Sequence, residues 1–282
     1  MTGAPGPPFP NASVAFAIAA LAMLAVVAIA AGFGGGAAPY AFATAIGFGG
    51  LGTLVARYVP EPAPLRIGLT PFPLRAISPV LLLLPSALVL SELDNWIRIA
   101  FGAAQSESLG KPQQPALELV LLIVFLQPVV REFFFRGVLL QGTVSALGRV
   151  RGVGFIALVQ ALLFTEGDVT TPAGAVSGLV ATFASAALLG LVRIGSGSLL
   201  PCIALSGGLA AIGVAAGVYP DRVAIPGFNA PGTTTPLVFL MPALASVALG
   251  VGLLVRQLAH EPALPPIPPP QPEDDEESGG LF

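Results

Sequence analysis

The 282 residues include one cysteine, Cys202, and one histidine, His260. A lone cysteine excludes an internal disulfide framework and any zinc site built on several thiolates. A lone histidine just beyond the last apolar segment is a poor start for a metal centre inside a bilayer. Charge is scarce as well. Charged residues make up 10% of the chain, whereas a soluble domain carries about 25%, so this chain cannot cover a water-facing surface. No basic stripe suggests nucleic acid. The formal net charge of −3 comes from the tail: five of the 15 acids form the run Glu273 to Glu277, and the remaining 10 acids face 12 Lys and Arg.

What is abundant is apolar. Hydrophobic residues reach 55% and the mean hydropathy is +0.87. Eight apolar stretches can be marked, roughly Ser13–Phe33, Ala38–Val59, Ile77–Ile99, Pro115–Leu140, Val153–Thr165, Ala173–Val192, Ser198–Val218 and Thr235–Leu258. Most lie near the ~20 residues that cross a hydrocarbon core, the fifth being short unless it extends to Asp168. The expected fold is an all-α, polytopic transmembrane helical bundle of about eight spanning helices. The first two stretches are rich in Ala and Gly, which in lipid favours close helix–helix approach. No Lys or Arg precedes the first, so it lacks the n-region of a secretory signal and reads as a retained helix.

Counting Lys and Arg by alternate loops puts Arg57, Arg66, Arg75, Arg149, Arg151, Arg193 and Arg256 on the side of the N-terminus. The opposite side holds Arg98, Lys111 and Arg222. The excess predicts both termini in the cytoplasm of a multi-pass cell-membrane protein. Five regions follow: a disordered N-terminus (1–12), N-terminal helices (13–114), a core (115–218), an outer loop with the last helix (219–260), and a Pro-rich acidic tail (261–282). The tail's polyproline run reads as extended and solvated.

Ionisable residues within spanning segments cost at least ~2.5–3.5 kcal/mol each at a helix centre, which makes them functional candidates. Glu92, Asp94, Asn95 and Trp96 read as an interfacial helix end, as does Glu118 at the start of the fourth stretch. The segment from Gln127 to Gly137 is sharper. Glu132 and Arg136 are four apart and share a helix face. Arg131 lies about 100° round from Glu132, and Pro128 loosens the helix just ahead of the charges. A structural ion pair and a functional polar centre both fit this spacing. Glu166 and Asp168, ending the fifth stretch, read either as a polar helix end or as an interior site facing Glu132 and Arg136.

At these residues the chain resembles the CPBP family of intramembrane metalloproteases, the CAAX prenyl endopeptidase and bacteriocin-processing group, also called the ABI family. Its first motif is Glu-Glu-x-x-x-Arg, within Pro-x-x-Glu-Glu-x-x-Phe-Arg-Gly. Pro128, Glu132, Phe135, Arg136 and Gly137 fall in register with it. The second motif, Phe-x-x-x-His, aligns with Phe164 and Asp168. The third follows a Gly-Ser-Leu-x-Pro helix start, here Gly197 to Pro201, with Ser206 where its histidine falls and Ala210 at its final Asn. The resemblance covers about residues 115–215.

The resemblance implies a zinc-dependent endopeptidase, but the family's first glutamate corresponds to Arg131 and both motif histidines are replaced. Glu132 and Arg136 are the retained motif residues, and Asp168 occupies a histidine position; these three are the candidate catalytic positions. A hydrolytic zinc site needs about three protein ligands and a bound water, and an arginine at the base position neither accepts a proton nor tolerates a cation. Asp168, Glu166 and Glu132 could form an all-carboxylate site, which prefers Mg, Ca or Mn to zinc. No metal or cofactor is assigned. The expectation is a pseudoenzyme of the family, embedded in the lipid bilayer and binding a membrane peptide or protein partner in the old substrate cavity. The alternatives are an active intramembrane metalloendopeptidase with an atypical site, and a small transporter, the latter disfavoured because no inverted repeat is visible.

Overall fold

The structure, a computed structural model, describes residues 8–34, 37–102, 117–165, 170–219, 224–230 and 232–260. Among these residues the chain is helical apart from loops and one isolated bridge between Pro226 and Ala230. In order come α1 (Ala12–Gly32), α2 (Ala37–Ala56), the short α3 (Ala63–Ile67), α4 (Ile77–Leu83), α5 (Ser86–Ala100), α6 (Leu117–Leu121), α7 (Gln127–Glu132), α8 (Leu140–Leu147), α9 (Arg149–Leu163), α10 (Pro172–Ser196), α11 (Leu200–Val218) and α12 (Leu237–His260). Two π-helical segments, Leu122–Leu126 and Phe133–Leu139, join α6, α7 and α8 into one rod over 117–147.

All eight apolar stretches fold as helix over their described residues. Six spans are long and apolar enough to cross a membrane: Ala12–Gly32, Pro39–Ala56, Leu74–Ala100, Pro172–Ser196, Leu200–Val218 and Leu237–Ala259. The other two differ for physical reasons. The fourth stretch is broken up by its π segments and carries Arg131, Glu132 and Arg136, and α9 is only 15 residues long. This is a multi-pass membrane protein.

Packing follows small residues. On α1, Ala15, Ala19, Ala22 and Val26 recur at helical spacing and are fully buried, while Leu21, Leu24 and Val27 on the other side are exposed. Gly47 of α2 sits so close to Val26 that a Cβ there would lie 2.7 Å from its methyl carbon. In lipid, where the hydrophobic effect between helices is absent, such close contact drives association. At Pro85 the chain bends between α4 and α5, and the Ser246 hydroxyl of α12 donates to the Leu82 carbonyl at 2.8 Å. Gly250 lets α12 approach Leu82 and Leu83 at the same place.

Residues 8–11, part of the stretch expected to be disordered, pack onto the bundle. The Gln141 amide donates to the Phe9 carbonyl at 2.6 Å, Pro10 is buried, and Asn11 caps α1 by accepting from the Val14 N–H at 3.0 Å. Gly142 is required there, because a Cβ would meet the Pro10 backbone at 2.3 Å. Residues 1–7 and the tail beyond 260 lie outside the described residues.

Candidate functional site

The rod over 117–147 presents two polar faces that a one-residue step separates. Glu132 and Arg136 point into protein and are fully buried, at 0% and 1% exposure. The Arg136 Nε lies 3.2 Å from Glu132 Oε2. Its two terminal nitrogens donate to Gln160 Oε1 of α9 at 2.7 Å and to the Ala186 carbonyl of α10 at 2.9 Å. Three helices are thereby tied to one guanidinium. Burying an ion pair is costly unless hydrogen bonds meet its polar atoms; Gln160 and the Ala186 carbonyl meet the two terminal nitrogens, while Arg136 Nε and Glu132 Oε2 face each other as a charge contact without hydrogen-bond geometry.

Beside this pair lies an aromatic cluster. Phe48 stacks on Phe134 at 5.0 Å and meets Phe164 edge-on at 4.9 Å. Phe135 and Phe164, the phenylalanines of the first two motifs, meet edge-on at 5.4 Å. The Arg136 guanidinium carbon sits 5.8 Å from the Phe135 ring centre, within the range of a cation–π contact. The motif phenylalanines build the wall against which the buried arginine is fixed.

Arg131 faces the other way. It lines a cavity of about 410 Å³ together with Gln127 and Pro128 of α7, Thr182 and Ser185 of α10, and Ser206 and Ala210 of α11. Gln127 and Arg131 are four apart, as are Ser206 and Ala210, so each helix turns one face to the cavity. Three aligned motif positions, those of the first glutamate, the third-motif histidine and its terminal Asn, therefore converge at Arg131, Ser206 and Ala210. Two local features admit α11 so close. Pro128 has no N–H to give the Val124 carbonyl four residues back, and Gly207 packs there, where a Cβ would lie 2.9 Å from that oxygen.

The turn over 225–230 contributes Phe228 to the cavity lining. That turn is anchored by polar residues of α5. The Gly227 carbonyl accepts from Asn95 Nδ2 at 2.8 Å, and Glu92 accepts from the Thr235 N–H at 2.7 Å and from Asn95 at 3.1 Å. The expectation of an interfacial helix end suits Trp96, which is 56% exposed, but not Glu92, which is 3% exposed and holds the loop in place. Asp94 pairs with Arg98 at 2.9 Å and accepts from the Ser177 hydroxyl. A second cavity of about 280 Å³, lined by Ser91, Asp94, Arg98, Gly174, Ser177 and Gly178, shares Leu90 and Ala181 with the first.

Of the candidate residues, Glu132 and Arg136 meet in the dry core rather than at the cavity. Asp168 and Glu166 lie outside the described residues. Gln160, Thr182, Ser185 and Phe228 were not singled out by the sequence reading. Gln160 carried a signal, an amide in an apolar stretch four residues before Phe164. The others carried none, because hydroxyls and a phenylalanine are common in membrane helices and loops. Among the described residues no three His, Cys, Asp or Glu side chains cluster as metal ligands.

In the comparison with protein families, residues 113–212 match the model described as Rce1-like, type II CAAX prenyl endopeptidase Rce1-like. No curated protein and no solved structure matches the chain.

Proposed function

Because residues 113–212 belong to the CPBP family, we propose that this chain is a homologue without peptidase chemistry, whose substrate cavity binds a membrane peptide or the membrane segment of a partner protein. The observation that carries this reading is the lining of the 410 Å³ cavity: Arg131, Ser206 and Ala210 stand where the family has Glu, His and Asn. The family's zinc does not fit this donor set. A guanidinium repels a cation, alanine has no donor atom, and serine is a poor zinc ligand. Glu132 has the right chemistry, but Arg136 holds it in the dry core. The cavity itself keeps a size ordinary for ligand sites, which span about 300–1,000 Å³.

The test uses purified full-length protein in lipid nanodiscs. Fluorogenic prenylated and unprenylated peptides should remain uncleaved with zinc, magnesium or manganese supplied, while a labelled apolar peptide binds saturably. Metal-dependent cleavage abolished by Asp168→Ala would establish the active-endopeptidase reading instead. We further propose that the membrane is the cell membrane and that both termini face the cytoplasm. Reporter fusions at residues 1 and 282 check this, and an external signal from either one refutes it.

A further inference from the structure

We infer that the cavity of about 280 Å³ between α5 and α10 is a headgroup site for a phospholipid bearing both a phosphate and a primary ammonium. The site does not depend on the peptide reading above. Its chemistry begins with an ion pair on α5 that α10 holds in place. Arg98 gives its Nε–H to both oxygens of Asp94, at 3.0 and 2.9 Å, and Asp94 also accepts from the Ser177 hydroxyl of α10. The pair is not sealed in. Arg98 and Asp94 keep 17% and 34% of their side chains exposed, and both line the cavity. The dry pair of Arg136 and Glu132, at 1% and 0%, offers a ligand nothing.

Charges of both signs at one cavity select the ligand. A lone anion is drawn to Arg98 and repelled by Asp94 beside it, and a lone cation meets the reverse. A zwitterion whose two ends lie against the two residues satisfies both. Four of the five guanidinium N–H groups sit on the terminal nitrogens, in a fork that matches phosphate oxygens. A carboxylate offers about four lone-pair sites, into which a primary ammonium can donate, whereas a quaternary ammonium has no N–H to give. Phosphoethanolamine therefore fits better than phosphocholine.

The fall of polarity along the cavity makes the ligand a lipid. Ala87 and Leu90 of α5 line the larger cavity with Ala181 and Ser185 of α10, while Asp94 meets Ser177, so the two helices run antiparallel. The smaller cavity thus runs from Arg98 and Gly174 to Leu90 and Ala181, about 12 Å along α5. Its charged end lies near the close of the apolar span Leu74–Ala100, and Trp96, 56% exposed on the same turn, is an interfacial anchor there. Its other end lies deeper in the span and is apolar. A headgroup seated on the ion pair sends its hydrocarbon past Leu90 and Ala181, from which a free zwitterion gains nothing. The volume sits just under the range of about 300–1,000 Å³ for small-molecule sites, room for a headgroup rather than a whole lipid.

Full-length protein in a non-ionic detergent is mixed with phosphatidylethanolamine, phosphatidylcholine or phosphatidylglycerol of the same chains, or with free phosphoethanolamine, and bound molecules are counted by native mass spectrometry. The ethanolamine lipid is expected to bind about tenfold tighter than the other two lipids, with the free headgroup weaker still. Arg98→Gln and Asp94→Asn should each remove that preference. Gly178→Leu should remove it too, by filling the cavity while both charges stay. The lipid comparison uses unaltered protein, so misfolding of a variant cannot produce it. Equal binding of the three lipids marks an unselective lipid coat and overturns the site, and tighter binding of either competitor overturns the choice of ligand. Free phosphoethanolamine binding as tightly as the lipid overturns the membrane source. An ethanolamine preference unchanged in all three variants places the lipid elsewhere and overturns the assignment to this cavity.

Discussion

Arg131 and Glu132 are adjacent in sequence and sit in opposite surroundings. Glu132 belongs to a dry, tightly partnered cluster with Arg136, Gln160 and the Ala186 carbonyl. Arg131 lines a cavity beside Gln127, Thr182, Ser185 and Ser206. The first cluster holds helices together and the second leaves room for something else. In this chain the two neighbouring positions can therefore serve different ends, because one residue step turns about 100° around the helix.

The largest effect expected from this contrast is on stability. Arg136→Leu strands Glu132 in the core and should cost about 3–5 kcal/mol in reversible unfolding from mixed micelles. Glu132→Leu combined with Arg136→Leu should recover most of that, since an apolar replacement of a buried pair is often neutral. If the double variant is as unstable as the single, the pair contributes more than mutual compensation. Gln160→Leu removes a hydrogen bond to a charged group and should cost about 1.5–3 kcal/mol by the same measurement. Asn95→Ala should loosen the 225–230 turn by about 1 kcal/mol, read as faster hydrogen exchange at residues 225–235 with the helices unchanged. Arg131→Gln should shift unfolding less than Arg136→Leu, because Arg131 is half-buried at a cavity whereas Arg136 is fully buried. A loss matching that of Arg136→Leu would erase the distinction between the two faces.

The bundle was legible because hydropathy and length are one-dimensional signals, and each of the eight stretches is helical over most of its described residues. The pairing of Glu132 with Arg136 was legible too, from four-residue spacing. What spacing could not supply was what each face of the rod meets, which depends on where α11 crosses the rod and on the close approach that Pro128 and Gly207 allow. The count of positive charges by loops also took in two arginines that serve the interior. Arg66 is 1% exposed, and Arg193 is 8% exposed and donates to the Arg66 carbonyl at 2.8 Å, lying against Gly68. Taking those two from the seven leaves five against three, so the charge argument for orientation is thinner than the sequence suggests. Glu92 was misread for the opposite reason: its partner, the Thr235 N–H, is 143 residues away, and no local pattern announces it.

The π-helical segment Phe133–Leu139 divides the rod between its charged turn and the part that receives the N-terminus. A π turn takes up one residue more than an α turn, so the extra residue is absorbed within the segment. Deleting a single residue from 133–139 would let it close to α-helix while the rod on either side keeps its facing. Gln141 and Gly142 would keep their places against Phe9 and Pro10, and Gln127 and Arg131, upstream, would keep their view of the cavity. A deletion between Glu132 and Arg136 would instead break the four-residue spacing that pairs them, so the site of a one-residue deletion decides whether the buried pair survives a change that both ends of the rod tolerate.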